Sequence, residues 1–336
     1  MKRRDLIRTM LGGLTMGGVV DRALAQATKV QATGYPSRPI RLVVPFPPGG
    51  PADILARQLG KQLGEQLGQP GIVENRPGAN TVIGAENVLA SPADGYSLLV
   101  GSEAGLSLAP AFTPITGVEV SYKTSRDFFP ISLLGQYGSV LTIHPSVPVQ
   151  TLHEFVEYAR KNPGKLSYAS FGIGSQPQMM MEVLNQKEKL QIVHVPYKGV
   201  SHALGDLVAG RVQAMISSPS GPMPFIRTGQ LKALAYSGLK RSRELPEIPT
   251  FAEAGMPDFD ARGWFGIVVH ANTPPAIKSV LSETIWSIVN SKPFQQVSLS
   301  KGLEIPTANP LEFQTFLADD VAKWKKMVEL VKPRLI

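Results

Sequence analysis

The stretch from Pro39 to Leu67 constrains the fold more than any other. Pro39-Ile40-Arg41-Leu42-Val43-Val44 is a mostly apolar run of strand length, and Pro45-Phe46-Pro47-Pro48-Gly49-Gly50-Pro51 breaks it at once. Beyond the break, Leu55, Leu59, Leu63 and Leu67 recur every four residues and make one apolar stripe of a helix. Pro51 suits the first helical turn, Asp53 complements the positive helix end, and Gly68 suits the stop. Gly60 and Gly64 inside the helix cost propensity and predict close packing against a sheet. Residues 71–75 then read as a strand, 77–80 as a turn, 82–90 as a helix and 96–101 as a third strand. The unit is βαβαβ, which implies a parallel sheet.

The same alternation returns further on. Residues 140–143 read as a strand, 152–161 as an amphipathic helix and 166–169 as a strand, followed by the glycine-rich loop Ser170-Phe171-Gly172-Ile173-Gly174-Ser175. Another helix begins at 179–184, a strand at 192–195, a short helix at 203–209, and strands at 212–217 and 231–236. The tail is helical at 275–289 and 310–331. A chain of 336 residues with 43% hydrophobic residues has the length and core material for about two domains of roughly 150 residues. Two α/β units without a long linker predict two lobes facing one cleft.

The N-terminus reads as an export signal. Lys2, Arg3, Arg4 and Arg8 form a basic region, an apolar segment follows at 10–20, and Ala23-Leu24-Ala25 offers small residues for a signal peptidase, so residues 1–25 are expected to be removed. Lys2-Arg3-Arg4-Asp5-Leu6-Ile7-Arg8 fits a twin-Arg signal, and an ordinary secretory signal with a chance Arg pair fits as well. The apolar segment is too short to span a bilayer, for which about 20 residues are needed. The chain has no cysteine, which excludes disulfides, thiolate catalysis, Cys-type metal sites and a lipid-modified N-terminal Cys. A soluble periplasmic protein is the expectation. Of the formal charge of +8, three belong to residues 1–25, and the rest form no basic patch interleaved with aromatics, so nucleic acid is not an expected partner.

Catalytic signatures are missing. Gly172-Ile173-Gly174 is half of a dinucleotide fingerprint whose third glycine falls on Pro177; Gly60-Lys61-Gln62 and Gly164-Lys165-Leu166 fail as P-loops. Gly101-Ser102-Glu103-Ala104-Gly105 places its serine one position too early for a nucleophile elbow. His144, His153, His194, His202 and His270 show no metal-ligand spacing, and His194 and His202 read as structural or surface residues. No cofactor or metal is expected, and an enzyme is the weaker hypothesis.

In abundance instead are loops that bring backbone amides to helix starts, where unpaired N–H groups and the helix dipole favour anions. Four segments fit: Pro48-Gly49-Gly50-Pro51, Gly78-Ala79-Asn80-Thr81, Ser102 to Gly105, and Gly172-Ile173-Gly174-Ser175. Any one of them is ordinary turn chemistry. Four, spread over two lobes, make an anion-binding cleft competitive.

These residues also carry a family resemblance. Tyr35-Pro36-Ser37-Arg38-Pro39-Ile40-Arg41-Leu42-Val43-Val44-Pro45-Phe46, Pro48-Gly49-Gly50, Val73-Glu74-Asn75-Arg76-Pro77-Gly78-Ala79, Asp94-Gly95-Tyr96, Val195-Pro196-Tyr197-Lys198-Gly199, Leu245-Pro246-Glu247-Ile248-Pro249-Thr250 and Trp264-Phe265-Gly266 follow in order along the chain. Together they resemble the Bug family of extracytoplasmic solute receptors, the substrate-binding proteins of tripartite tricarboxylate transporters. The resemblance implies a type II periplasmic-binding-protein fold, with two α/β lobes around a ligand cleft joined by crossover strands. Lobe one would comprise residues 36–135 plus 248–336, and lobe two residues 136–247. It further implies a monomer that closes its lobes on a small organic acid and delivers it to membrane subunits of a transporter. A ligand carboxylate would be held by backbone amides, small hydroxyls and water, which nominates Gly49, Gly50, Ala79, Ser102, Ser170, Gly174, Ser175 and Tyr197, with Ser217 and Ser218 added after a lobe-two strand.

Departures from the family pattern bear on the ligand. Ala52 stands where many members have a hydroxyl residue, and Glu103 where small neutral residues are usual. If Glu103 faces the cleft as an anion it repels a di- or tricarboxylate, by about 4 kcal/mol for charges 4 Å apart at an effective dielectric near 20. A monocarboxylate, amine-bearing or aromatic ligand would then be preferred to citrate; Glu103 turned into solvent is the alternative. Met179-Met180-Met181 could line an apolar subsite or simply fill core. A receptor that signals through a sensor kinase stays open beside transport.

Overall fold

The computed structural model describes residues 34–116, 120–257, 259–260, 262–305 and 308–335. The export signal expected at residues 1–25 lies outside them. Two five-stranded sheets organise the chain. The first contains β1 (Ile40–Val44), β2 (Gly71–Asn75), β3 (Ser97–Ser102), β4 (Phe128–Tyr137) and β10 (Gly263–His270), in the order β2-β1-β3-β10-β4. The second contains β5 (Val140–Ile143), β6 (Ser167–Ser170), β7 (Val193–Pro196), β8 (Ala214–Ser217) and β9 (Lys232–Tyr236), in the order β7-β6-β8-β5-β9.

As the opening pattern requires, β1 pairs in parallel with both β2 and β3. The helix Pro51–Leu67 buries Leu55, Leu59, Leu63 and Leu67 on this sheet. Gly60 and Gly71 account for its close docking. Their backbones approach so nearly that a Cβ at position 60 would overlap the Gly71 carbonyl. Sequence patterning gives the helices Leu152–Lys161 and Pro275–Val289 at their observed bounds. The former carries a full capping box, with Thr151 Oγ accepting from the Glu154 amide at 3.1 Å and Glu154 Oε2 accepting from the Thr151 amide at 3.2 Å. The expected loop after β3 differs. The chain turns directly into a π-helical turn, Ala104–Leu108, continued by the helix Ala109–Thr116.

Two crossovers join the sheets. The chain leaves the first sheet at Tyr137, passes Gly138 and Ser139, and enters β5; it returns between Tyr236 and Gly263. A tyrosine ring lies across the backbone of the opposite crossover at each foot, Tyr137 over Gly263 and Tyr236 over Gly138, so neither glycine has room for a Cβ. The Gly138 amide donates to Tyr236 Oη at 2.9 Å, and the Ser139 amide to Ser237 Oγ at 2.7 Å.

One helix ignores the division. In the C-terminal helix Pro310–Leu335, Phe313 and Leu317 pack with Trp264, Val268 and Leu99 of the first sheet. Its later residues Trp324, Val328 and Val331 pack with Met179, Met181 and Leu184 against the second. Phe251 and Phe259, which follow β9, join that second core. Among the described residues no helix is long and apolar enough to cross a membrane.

Candidate functional site

Loops from the two sheets meet rim to rim. From the first, Asn80 Nδ2 donates to the Gly174 carbonyl of the second at 3.0 Å. A Cβ on Gly174 would lie 3.4 Å from that amide and 3.7 Å from the Phe112 ring. Asn80 is presented by an unusual backbone: Ala79, Asn80 and Thr81 all have positive φ, at 45°, 50° and 72°. Three consecutive non-glycine residues in the left-handed region mark a conformation held by its surroundings.

At the start of the helix Pro51–Leu67 the two nominated glycines have different uses. Gly49 does not offer its amide to a ligand; it donates to Asp53 Oδ2 at 3.0 Å. Asp53 also accepts from Arg57 Nε and Nη2, both at 2.9 Å, and from Asn75 Nδ2 at 2.9 Å. Burial opposes ionisation of this carboxyl, yet the bonds from Arg57, the Gly49 amide and Asn75 outweigh it and bring its pKa down to about 2. Gly50 is the extended N-cap, and a Cβ there would meet only the Pro47 carbonyl, at 3.9 Å. With the amides of the first helical turn it forms the open, positive helix end.

Ser102, the last residue of β3, is 1% exposed, and its hydroxyl has no partner among the described residues. Such a group is costly to bury unless something completes it. Its neighbour Glu103 is not a free cleft anion and is not turned into solvent. Its Oε1 accepts from Tyr137 Oη at 2.9 Å and its Oε2 from the Trp264 amide at 3.0 Å, with the residue 3% exposed. Burial, against these two bonds, pushes its pKa up to about 7. Both carboxylate oxygens are thus engaged by groups of the first lobe and are not presented to a ligand.

In the second sheet, the nominated groups largely shape their own loop. Ser170 Oγ is shared among His194 Nε2 at 2.6 Å and the amide and carbonyl of Gly172, each at 3.2 Å. The Gly174 amide donates to Gln178 Oε1 at 2.7 Å, and Ser175 Oγ to the Gly172 carbonyl at 2.6 Å. Tyr197 Oη donates to Asp206 Oδ2 at 2.8 Å, and burial together with that carboxylate pushes its pKa up to about 12. Ser217 Oγ contacts the Ser218 carbonyl at 3.3 Å, and Ser218 Oγ contacts Ser220 Oγ at 3.3 Å. Met179, Met180 and Met181 are buried in the core and do not line the cleft. Sequence reasoning missed Asn80 as the residue that ties the two rims, and Gln178 as the residue that takes the Gly174 amide within the second. Asn80 was visible only within the turn and amide-presenting segment 78–81, with nothing local to point it at the other lobe.

The known proteins that resemble this chain settle its kinship. The family described as "Tripartite tricarboxylate transporter family receptor" matches residues 55–332. The chain belongs to this receptor family. The receptor is 35% identical over 320 residues to Protein BugT of Bordetella pertussis, covering 94% of this chain and 96% of that one. Among solved structures, it superposes on a R. palustris protein with adipate at a TM-score of 0.76 and 30% identity, covering 88% of the receptor and 98% of that chain. MatC from Rhodopseudomonas palustris with bound malate gives 0.74 and 28%, covering 88% and 100%. The receptor thus has the periplasmic-binding-protein fold, two α/β lobes joined by crossover strands.

Proposed function

We propose that the chain is a periplasmic solute receptor that closes its lobes on a small carboxylate ligand and delivers it to the membrane subunits of a tripartite transporter. The observation that carries this reading is the fit of 88% of the chain to proteins solved with adipate and with malate. A ligand carboxylate would sit at the Gly50 end of the helix Pro51–Leu67, beside the unpartnered Ser102 hydroxyl. Oriented amides and one hydroxyl can share a negative charge without an arginine, which keeps release feasible. Lobe two, residues 136–247, would add the rim around Gly174 on closing, with Asn80 as the strap between rims. Since Glu103 carries no exposed charge, dicarboxylates stand beside monocarboxylates and aromatic acids as ligands. The earlier expectation against citrate loses its basis.

A thermal-shift series with adipate, malate, citrate, benzoate and an amino acid tests the proposal. A carboxylate at 100 times its dissociation constant adds about 2.7 kcal/mol, and Gly50→Asp should remove that gain. The reading fails if no carboxylate stabilises the protein, if Gly50→Asp binds as tightly as the parent, or if the purified protein converts its ligand.

A further inference from the structure

Glu103 has no place in the carboxylate site just described, yet it is 3% exposed and both of its carboxylate oxygens are engaged. One oxygen holds Tyr137, the last residue of β4, where the chain departs for the second lobe. The other holds the amide of Trp264, the second residue of β10, where the chain has just come back. These strands are paired at that point, with Gly263 opposite Tyr137 and Trp264 opposite Gln136. On its far side Trp264 donates Nε1 to Asp320 Oδ2 at 2.8 Å, and Asp320 is paired with Lys323 at 2.7 Å on the C-terminal helix. One carboxyl therefore grips the lobe-one foot of both crossovers.

We infer that Glu103 is the positioning residue of the hinge: by tying Tyr137 and Trp264 together it fixes where the rigid sheet ends and bending begins. Without the tie, the final β4–β10 pairs can fray and the bend can migrate from Gly138 into the sheet, which broadens the range of lobe angles. The tie needs two hydrogen bonds and no charge. A glutamine can supply both, its carbonyl accepting from the Trp264 amide and its NH2 donating to Tyr137 Oη. Leucine can supply neither. Among the described residues the groups that act on the Glu103 carboxyl are Tyr137 from β4, the Trp264 amide from β10, its own backbone amide and Asp320 from the C-terminal helix, none of them an arginine or lysine. The inference rests on the two-lobed reading of the chain and not on the identity of its ligand.

The chain has no cysteine, so spin labels can be placed without background. Lys61→Cys and Lys165→Cys put one label on an exposed position of each lobe. Electron–electron resonance on the ligand-free protein then reads the interlobe distance distribution. Glu103→Gln should reproduce the parent distribution, and Glu103→Leu should broaden and shift it. Tyr137→Phe, which keeps the ring over Gly263 and removes one bond, should broaden it less, and it decides the matter if Glu103→Leu does not fold. An unchanged distribution in Glu103→Leu or Tyr137→Phe overturns the inference, as does a Glu103→Gln distribution as broad as that of the leucine variant. No ligand is added, so failure here is separate from failure of the carboxylate-binding proposal.

Discussion

Asp53 and Glu103 lie beyond the ends of neighbouring strands, β1 and β3, and both are almost fully buried, at 2% and 3% exposure. Their surroundings treat them in opposite ways. Asp53 meets the Arg57 guanidinium, the Gly49 amide and the Asn75 amide, and its pKa falls to about 2. Glu103 meets one phenol and one backbone amide, with Asp320 as a nearby like charge, and burial dominates to lift its pKa to about 7. Burial alone thus does not say what a carboxylate is for; its partners do. At the helix start the charge is retained and organises the loop that presents Gly50. At the hinge the geometry of two bonds is retained and the charge is a burden.

Opposite shifts predict opposite pH dependence. For Glu103, whose native value lies above its ordinary value of 4.5, the stability contribution is present below about 4.5 and is lost as pH rises through about 7. The largest expected effect is accordingly a gain: Glu103→Gln should exceed the parent by about 3 kcal/mol above pH 7, with the gap closing toward pH 4.5. Urea unfolding at a series of pH values measures it, and a gap independent of pH would break the contrast. Asp53 contributes stability above its ordinary 3.8 that is lost as pH falls through about 2. Asp53→Asn should therefore cost about 2 kcal/mol at pH 7 and progressively less toward pH 2, read by the same denaturation series. Asn80→Ala should cost about 1 kcal/mol of stability by removing the bond between rims, and in a ligand titration it should speed dissociation more than it slows association. Ser102→Ala is the smallest in stability, neutral or stabilising by under about 1 kcal/mol because the hydroxyl has no partner to lose, but it should weaken carboxylate binding in calorimetry. Equal binding by the alanine variant would move the ligand away from the end of β3.

Much of the fold was legible because apolar spacing and caps are local. The leucine stripe at 55, 59, 63 and 67, the Thr151–Glu154 box and the prolines at helix starts sit where their elements do. Strands β4 and β10 were not read. Buried on both faces, Phe128–Tyr137 and Gly263–His270 show no alternation, and β10 joins its sheet across a gap of more than a hundred residues in sequence. The site was legible in part for the same reason. That amides gather at Gly49 and Gly50 follows from the local sequence; that the Gly49 amide is taken by Asp53 four residues later depends on the turn. Glu103 lies 34 residues from Tyr137 and 161 from Trp264, and no local pattern could have joined the three.

The C-terminal helix makes the stability of one lobe depend on the other. Phe313 and Leu317 complete the first core, while Trp324, Val328 and Val331 complete the second. Each half of this helix thus belongs to a core of a different sheet. Loosening it anywhere weakens packing in both lobes, so their stabilities are linked through one element.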